Sequence, residues 1–101
     1  MTTLLLSDIL DDLRMAEEGL HKFERRYWLS SGDFYELYTQ GLLDDGENAE
    51  DFAEWAGHYL LRQKRVMALE QISKDRVRVL RQQAGDQTIH LAPAEPALAI
   101  G

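Results

Sequence analysis

The chain has 101 residues, a net charge of −7 and no cysteine. Its length fits one domain with a modest hydrophobic core. The absence of cysteine excludes a disulfide scaffold, thiol catalysis and cysteine-ligated zinc, and the negative charge argues against general binding to DNA or to an anionic membrane. No stretch approaches the roughly 20 apolar residues of a membrane span, and no signal-peptide pattern is present. We therefore expect a cytoplasmic protein that does not enter a membrane.

The charge is unevenly distributed along the chain. Residues 1–57 contain 14 acidic and 4 basic side chains, whereas residues 58–101 contain 4 acidic and 7 basic side chains. The first segment therefore has a net charge of −10 and the second a net charge of +3. This pattern predicts an acidic body with a basic arm, and hence two different surfaces.

The first predicted helix spans about residues 4–28. Its apolar residues from Leu6 to Tyr27 recur at alternating spacings of three and four, which places them on one helical face. This stripe suits either the core of one domain or a helix pair between two chains. Because so small a chain covers a long stripe with difficulty, we predict a homodimer. The residues predicted to mediate self-association are Leu6, Ile9, Leu13 and Leu20.

Two further helices are predicted over about residues 31–40 and 48–72. Ser30 and Asp33 have the spacing of a capping box at the start of the second helix, and Gly41 suits its left-handed end. Asn48 is a plausible N-cap for the third helix. The aromatic residues of these two helices recur at helical spacing and predict one packed cluster, formed by Phe34, Tyr38, Phe52, Trp55 and Tyr59.

The pattern changes after residue 72. Residues 76–81 alternate between arginine and apolar side chains, and a Gly85–Asp86 turn signal follows. This favours a short β-hairpin over about residues 76–92, although the third helix could instead continue to Gln83 with Gly85 as its C-cap. We therefore predict an all-α core with three helices in residues 1–72, and a C-terminal arm in residues 73–101 that is partly extended or disordered.

The arm combines positive charge with apolar residues that cannot form a core alone. Such a segment is suited to ordering on a protein partner, for instance by adding a strand to the edge of a sheet. Its arginines would direct it toward an acidic surface. The residues predicted to contact the partner are Arg76, Val77, Arg78, Val79, Arg81, Ile89 and Leu91.

No spacing in the sequence specifies a reaction. Glu18 and His21 match the i, i+3 pair of di-iron bundles, but they lie opposite the apolar stripe, whereas such metal ligands project inward. The acidic residues 44–51 lack the ligand order of a calcium loop. No serine lies in a nucleophile elbow, and no glycine-rich phosphate loop occurs. We therefore predict no catalytic residues, no metal site and no cofactor, and classify the protein as non-enzymatic.

Nucleic-acid binding is also disfavoured. At 100° per residue the basic side chains of the arm spread around a helix, and no aromatic residue follows Tyr59 to stack on bases. Weak binding through the basic arm stays an alternative.

Several short motifs resemble those of a group of small helical prokaryotic proteins of antitoxin type. The motifs are Phe23, Glu24, Arg26 and Tyr27; Ser30 and Ser31; Phe34, Tyr35 and Tyr38; Gly41 and Leu43; Asp51 and Phe52; and Glu54, Trp55, Ala56, Gly57 and Tyr59. The resemblance covers roughly residues 20–62, while the acidic spacer from Asp44 to Glu50 is longer than usual and residues 73–101 extend beyond the pattern. Because members are often encoded beside a small toxin-like partner, the resemblance implies an interaction module that binds a co-encoded protein. The alternative is a structural homo-oligomeric scaffold.

Overall fold

The computed structural model describes residues 5–44 and 46–93, which form three α-helices and no strand. Helix α1 spans Leu6–Tyr27, α2 spans Ser31–Thr39 and α3 spans Ala49–Ala84. The predicted all-α class with three helices is confirmed. Predictions that fall on residues 1–4, 45 and 94–101 lie outside the described residues.

The ends of the first two helices follow from local chemistry. Trp28 ends α1 with a left-handed backbone (φ 57°), and its N–H donates to the carbonyl of Glu24 at 2.9 Å. The Ser30 hydroxyl accepts from the N–H of Asp33 at 3.2 Å, as the predicted capping box requires. Gly41 adopts φ 69° just after α2, as predicted. Asn48 occupies the N-cap of α3 without a side-chain hydrogen bond to the backbone.

The predicted hairpin over residues 76–92 is wrong, and so is the predicted end of the third helix near residue 72. Helix α3 continues to Ala84 and ends at Gly85, whose φ of 60° favours glycine. The alternative prediction, a helix continuing to about Gln83 with Gly85 as its cap, is confirmed. Arginine is a good helix former, so the alternating arginines permit a helix as readily as a strand.

Helices α1 and α3 pack antiparallel along a row of ion pairs. Asp12 meets Arg65 at 2.7 Å, Glu17 meets Arg62 at 3.5 Å, and further along Lys22 meets Glu54 at 3.1 Å. Leu6, the first residue of α1, lies six positions before Asp12. Because the helices are antiparallel and Asp12 pairs with Arg65, Leu6 is level with residue 71 of α3, six positions beyond Arg65. Residues 73–84 of α3 therefore extend beyond the start of α1, and we call this segment the overhang.

The core lies where the three helices meet. It is formed by Leu20 and Phe23 of α1, Phe34 of α2, and Phe52, Trp55 and Ala56 of α3. The Trp55 and Phe34 rings stack with centroids 3.8 Å apart. Among the predicted cluster residues, Phe34, Phe52 and Trp55 are buried and Tyr59 packs against them, whereas Tyr38 stacks on Phe34 at the edge and is 37% exposed.

The α1 stripe forms mainly the core of a single chain. Ile9 and Leu20, two of the residues predicted to mediate self-association, are buried against the chain's own helices. Leu13 is half-buried, and Leu6 is 37% exposed. A second copy could reach the outer edge of this stripe without opening the fold, but not its centre.

Gly19 of α1 faces the His58 side chain of α3. A Cβ atom on Gly19 would come within 2.5 Å of the His58 ring, whereas a Cβ on Gly57, on α3, would have no neighbour within 4 Å. At Gly19, α1 therefore packs closely against α3 through an imidazole ring and not through backbone.

This difference predicts opposite effects for two glycine-to-alanine substitutions. Gly57→Ala should stabilise the protein by up to about 1 kcal/mol, because alanine favours a helix. Gly19→Ala should destabilise it by about 1–3 kcal/mol, because the His58 ring must move. Urea unfolding of both variants measures the difference. Equal stabilisation by both substitutions would contradict the packing at His58.

Candidate protein-interaction surface

The overhang presents basic and apolar side chains together. It contains Lys74, Arg76, Arg78 and Arg81 against a single acidic residue, Asp75, which gives it a net charge of +3. Val77 and Val79 are 41% and 45% exposed. The structure therefore places five of the predicted partner-contacting residues on a helix and not on a strand.

The segment after α3 turns back along the overhang. The Arg76 guanidinium donates to the carbonyl of Ala92 at 3.3 Å, and Leu80 and Ile89 line the same shallow groove. Ile89 and Leu91 both remain exposed. The two parts of the predicted interaction surface are therefore neighbours in space, although they do not form a hairpin.

The arginines of the overhang differ in how they are engaged. Arg78 forms an ion pair with Asp75 at 3.1 Å, one turn away on the same helix, and Arg76 holds the returning segment. Within residues 5–44 and 46–93, Arg81 forms no ion pair and is exposed. Exposed pairs of this kind add little stability, so an acidic partner could engage these side chains at low cost.

Trp28 is a second exposed feature, which the sequence patterns did not single out. Its side chain is 92% exposed, and its φ of 57° is unusual for a bulky residue. Tryptophan is enriched in binding hot spots. Arg25 lies beside it in an open depression, so the end of α1 offers an aromatic side chain and a cation together.

A hydrogen-bonded network joins the three helices. The Trp55 indole N–H donates to the Ser31 hydroxyl at 2.8 Å, and this hydroxyl donates to the Glu24 carboxylate at 2.7 Å. The backbone N–H of Ser31 also donates to Glu24, at 3.1 Å. A buried tryptophan N–H needs an acceptor, and the adjacent Ser30 and Ser31 were the only sequence signal for one. No spacing in the sequence indicated that Trp55, Ser31 and Glu24 would meet.

The network changes the acidity of Glu24. Partial burial raises the pKa of Glu24, but hydrogen bonds from His21 and Ser31 together outweigh that effect and leave the pKa below its ordinary value of 4.5. Tyr27 shows the opposite change, because its hydroxyl donates to the Asp51 carboxylate at 2.6 Å and this bond raises the pKa of Tyr27. Glu24 therefore stabilises the helix packing as a carboxylate, and Tyr27 stabilises it as a neutral phenol.

The network borders a cleft of about 490 Å³ between α1, α3 and the start of α2. Glu17, Glu24, Tyr59 and Arg62 line it. The acidic side chains of the cleft already have partners, since Glu17 pairs with Arg62 and Glu24 binds Ser31 and His21. These contacts at the edge of the cleft therefore join the three helices.

The described part of the chain offers no cluster of metal ligands and no membrane-spanning helix. No group of three or more His, Asp or Glu side chains there could hold a metal ion. His21 instead contacts Glu24 at 2.9 Å, and His58 lies 3.6 Å from Glu54. None of the described helices is long and apolar enough to cross a membrane.

Comparison with known proteins found no similarity to assign. No protein-family model matches the chain, and neither a curated protein nor a solved structure does.

Proposed function

We propose that this chain is a non-enzymatic, cytoplasmic protein-interaction module that binds a co-encoded partner protein, in the manner of an antitoxin. The observation that carries the proposal is the overhang, where Val77 and Val79 stay exposed beside Arg78 and Arg81. The co-encoded nature of the partner rests on the resemblance of residues 20–62 to antitoxin-type proteins.

The helical form of the overhang favours a particular mode of binding. Val77 and Arg81, four positions apart, share one face of this helix. A helix with such a face can lie in a groove of a partner, with the apolar side chain giving affinity. The arginines then favour a groove with an acidic rim and accelerate association. We therefore replace strand addition, the mode suggested by a hairpin, with helix-in-groove binding.

The proposal predicts that removal of the arm abolishes strong binding but spares the fold. A chain truncated after Ile72 keeps all the core residues, so its melting temperature should stay close to that of the full chain. Its affinity for the neighbouring gene product should fall by at least about tenfold, or about 1.4 kcal/mol. Calorimetry and circular dichroism measure the two quantities.

A charge reversal gives a finer test in the full chain. Simultaneous replacement of Arg76, Arg78 and Arg81 by glutamate should weaken binding and lower its salt dependence. Lys64→Glu, on an exposed part of α3 outside the overhang, is the matched control and should bind like the wild type. If the truncated chain folds and binds at full strength, the helical body is the binding surface. If the truncated chain unfolds, the arm belongs to the folding unit.

A further inference from the structure

The groove between α1 and α3 is covered by α2 over only part of its length. The start of α2 borders this groove beside Glu17 and Glu24 of α1 and Tyr59 and Arg62 of α3. Helix α2 has only 9 residues, about 14 Å of helix. The groove therefore continues past α2 toward the overhang without a third helix above it.

Helical spacing identifies the side chains along this open part. From Glu17 back toward the start of α1, the same edge carries Leu13, Leu10 and Leu6, and Leu6 and Leu10 are 37% and 47% exposed. From Tyr59 onward along α3, the facing edge carries Val66, Glu70 and Val77. The α1 edge of the open groove is thus apolar, whereas its α3 edge alternates Val66 and Val77 with Glu70 and Ser73, and the groove ends at the basic overhang.

We propose that a second copy of the chain fills this open groove. The overhang of each copy lies antiparallel to the overhang of the other, with Val77 of one copy within about one helical turn of the level of Leu6 of the other. In this register Arg81 of one copy lies opposite Glu70 of the other. Each contact occurs twice because the pair has twofold symmetry.

Charge complementarity favours this occupant and this direction. The overhang has a net charge of +3, whereas residues 6–17 of α1, which border the open groove, contain four acidic residues and one arginine and have a net charge of −3. Antiparallel pairing places Arg81 beside Glu70, while parallel pairing in register would place Arg81 beside Arg81. Opposite charges on neighbouring helices are known to set the orientation of helix pairs.

The dimensions also agree. The overhang of 12 residues, from 73 to 84, measures about 18 Å. The open groove between α1 and α3 is about 10 Å long, from Leu13 to Leu6. Beyond the start of α1, only α3 continues. In the proposed register residue 84 of one overhang lies opposite residue 67 of the partner, level with Leu10, so one overhang covers the groove at Leu6 and Leu10 and stops before α2.

This inference does not rest on the proposed partner binding, since it concerns the protein alone. It places Val77 and Arg81 in the contact between copies, and the same two residues belong to the proposed partner surface. Self-association and partner binding would then compete for the overhang.

The test is the mass of the purified full chain, by light scattering and sedimentation equilibrium at tens of micromolar and low salt. The wild type should have twice the monomer mass of 11.6 kDa. Val77→Asp should weaken the dimer by at least about tenfold. Met15→Asp, at an exposed apolar residue on the other edge of α1, is the control and should stay dimeric. Circular dichroism should show the same helicity in both variants.

Charge reversal tests the register. Glu70→Arg and Arg81→Glu should each weaken the dimer, and the double variant should restore it. The two residues lie eleven positions apart on α3, about 16 Å along the helix, so they cannot pair within one chain. Restoration therefore reports a contact between copies. A monomeric wild type, or a dimer that Val77→Asp and both reversals leave unchanged, would overturn the proposal.

Discussion

Replacement of Trp55 by alanine should lower the free energy of unfolding by about 3–5 kcal/mol, the largest effect expected in this chain. The side chain is fully buried, and its ring stacks on Phe34 and contacts Phe23 at a centroid distance of 5.7 Å. Its removal leaves a cavity where all three helices meet. A small domain has a total stability of only about 5–15 kcal/mol, so the variant should melt at a much lower temperature, as measured by circular dichroism.

The chain contains its own control for this substitution. Trp28 is 92% exposed, so Trp28→Ala changes the same residue type without removing core packing and should alter the stability by less than about 0.5 kcal/mol. Trp28→Gly should stabilise the protein slightly, because glycine favours the left-handed backbone at this position. Equal melting of Trp55→Ala and Trp28→Ala would show that the aromatic cluster is not the core.

Ser31→Ala should destabilise the protein by about 1–3 kcal/mol, the second large effect. The substitution leaves the buried indole N–H of Trp55 without its acceptor and removes one of the two hydrogen bonds that Ser31 donates to Glu24. The backbone N–H of Ser31 still binds Glu24, so the start of α2 should remain in place. Urea unfolding at neutral pH measures the loss of stability.

The same network predicts how stability depends on pH. Because the folded state lowers the pKa of Glu24 from 4.5, the folded state binds the proton of this group more weakly than the unfolded chain does. The stabilisation is therefore fully present above about pH 4.5 and is lost as the pH falls through the lower pKa of the folded state. Glu24→Gln should reduce stability at neutral pH, and the difference from the wild type should shrink in acid.

Glu18→Gln is the matched control, since Glu18 is exposed on the same helix and forms no side-chain hydrogen bond within the described residues. Its unfolding curve should follow the wild type at every pH. A constant gap between Glu24→Gln and the wild type from neutral pH to pH 3 would mean that the charge of Glu24 does not contribute to the network.

Local features of the sequence were sufficient to locate α1, α2 and the start of α3. The spacing of apolar residues placed Leu20 and Phe23 on the inner face of α1, and capping chemistry placed the start of α2 at Ser30 and its end near Gly41. These features depend on contacts within one or two helical turns, so they can be recognised from the sequence alone. The aromatic core was predictable for the same reason, except that Tyr38, predicted within the core, lies at its exposed edge.

The alternating residues of the arm were misleading because local spacing did not distinguish two structures. Val77 and Val79 have the period of a strand, but the hydrogen bonds of α3 continue through them to Gly85. A strand needs a partner to satisfy its backbone groups, whereas a helix satisfies its own. No strand occurs in residues 5–44 and 46–93, so the helix is the form in which this segment can pair its backbone alone.

The sequence by itself determined the helical class, the caps of α2 and the aromatic residues of the core, because each depends on short-range spacing or on the hydrophobicity of a side chain. Only the tertiary structure decided that α1 uses its stripe within the chain, that Glu24, Ser31 and Trp55 form one network, and that α3 extends beyond α1. These three features depend on which helices meet and in what register. That register follows from close approaches such as Gly19 to His58, between residues far apart in the sequence.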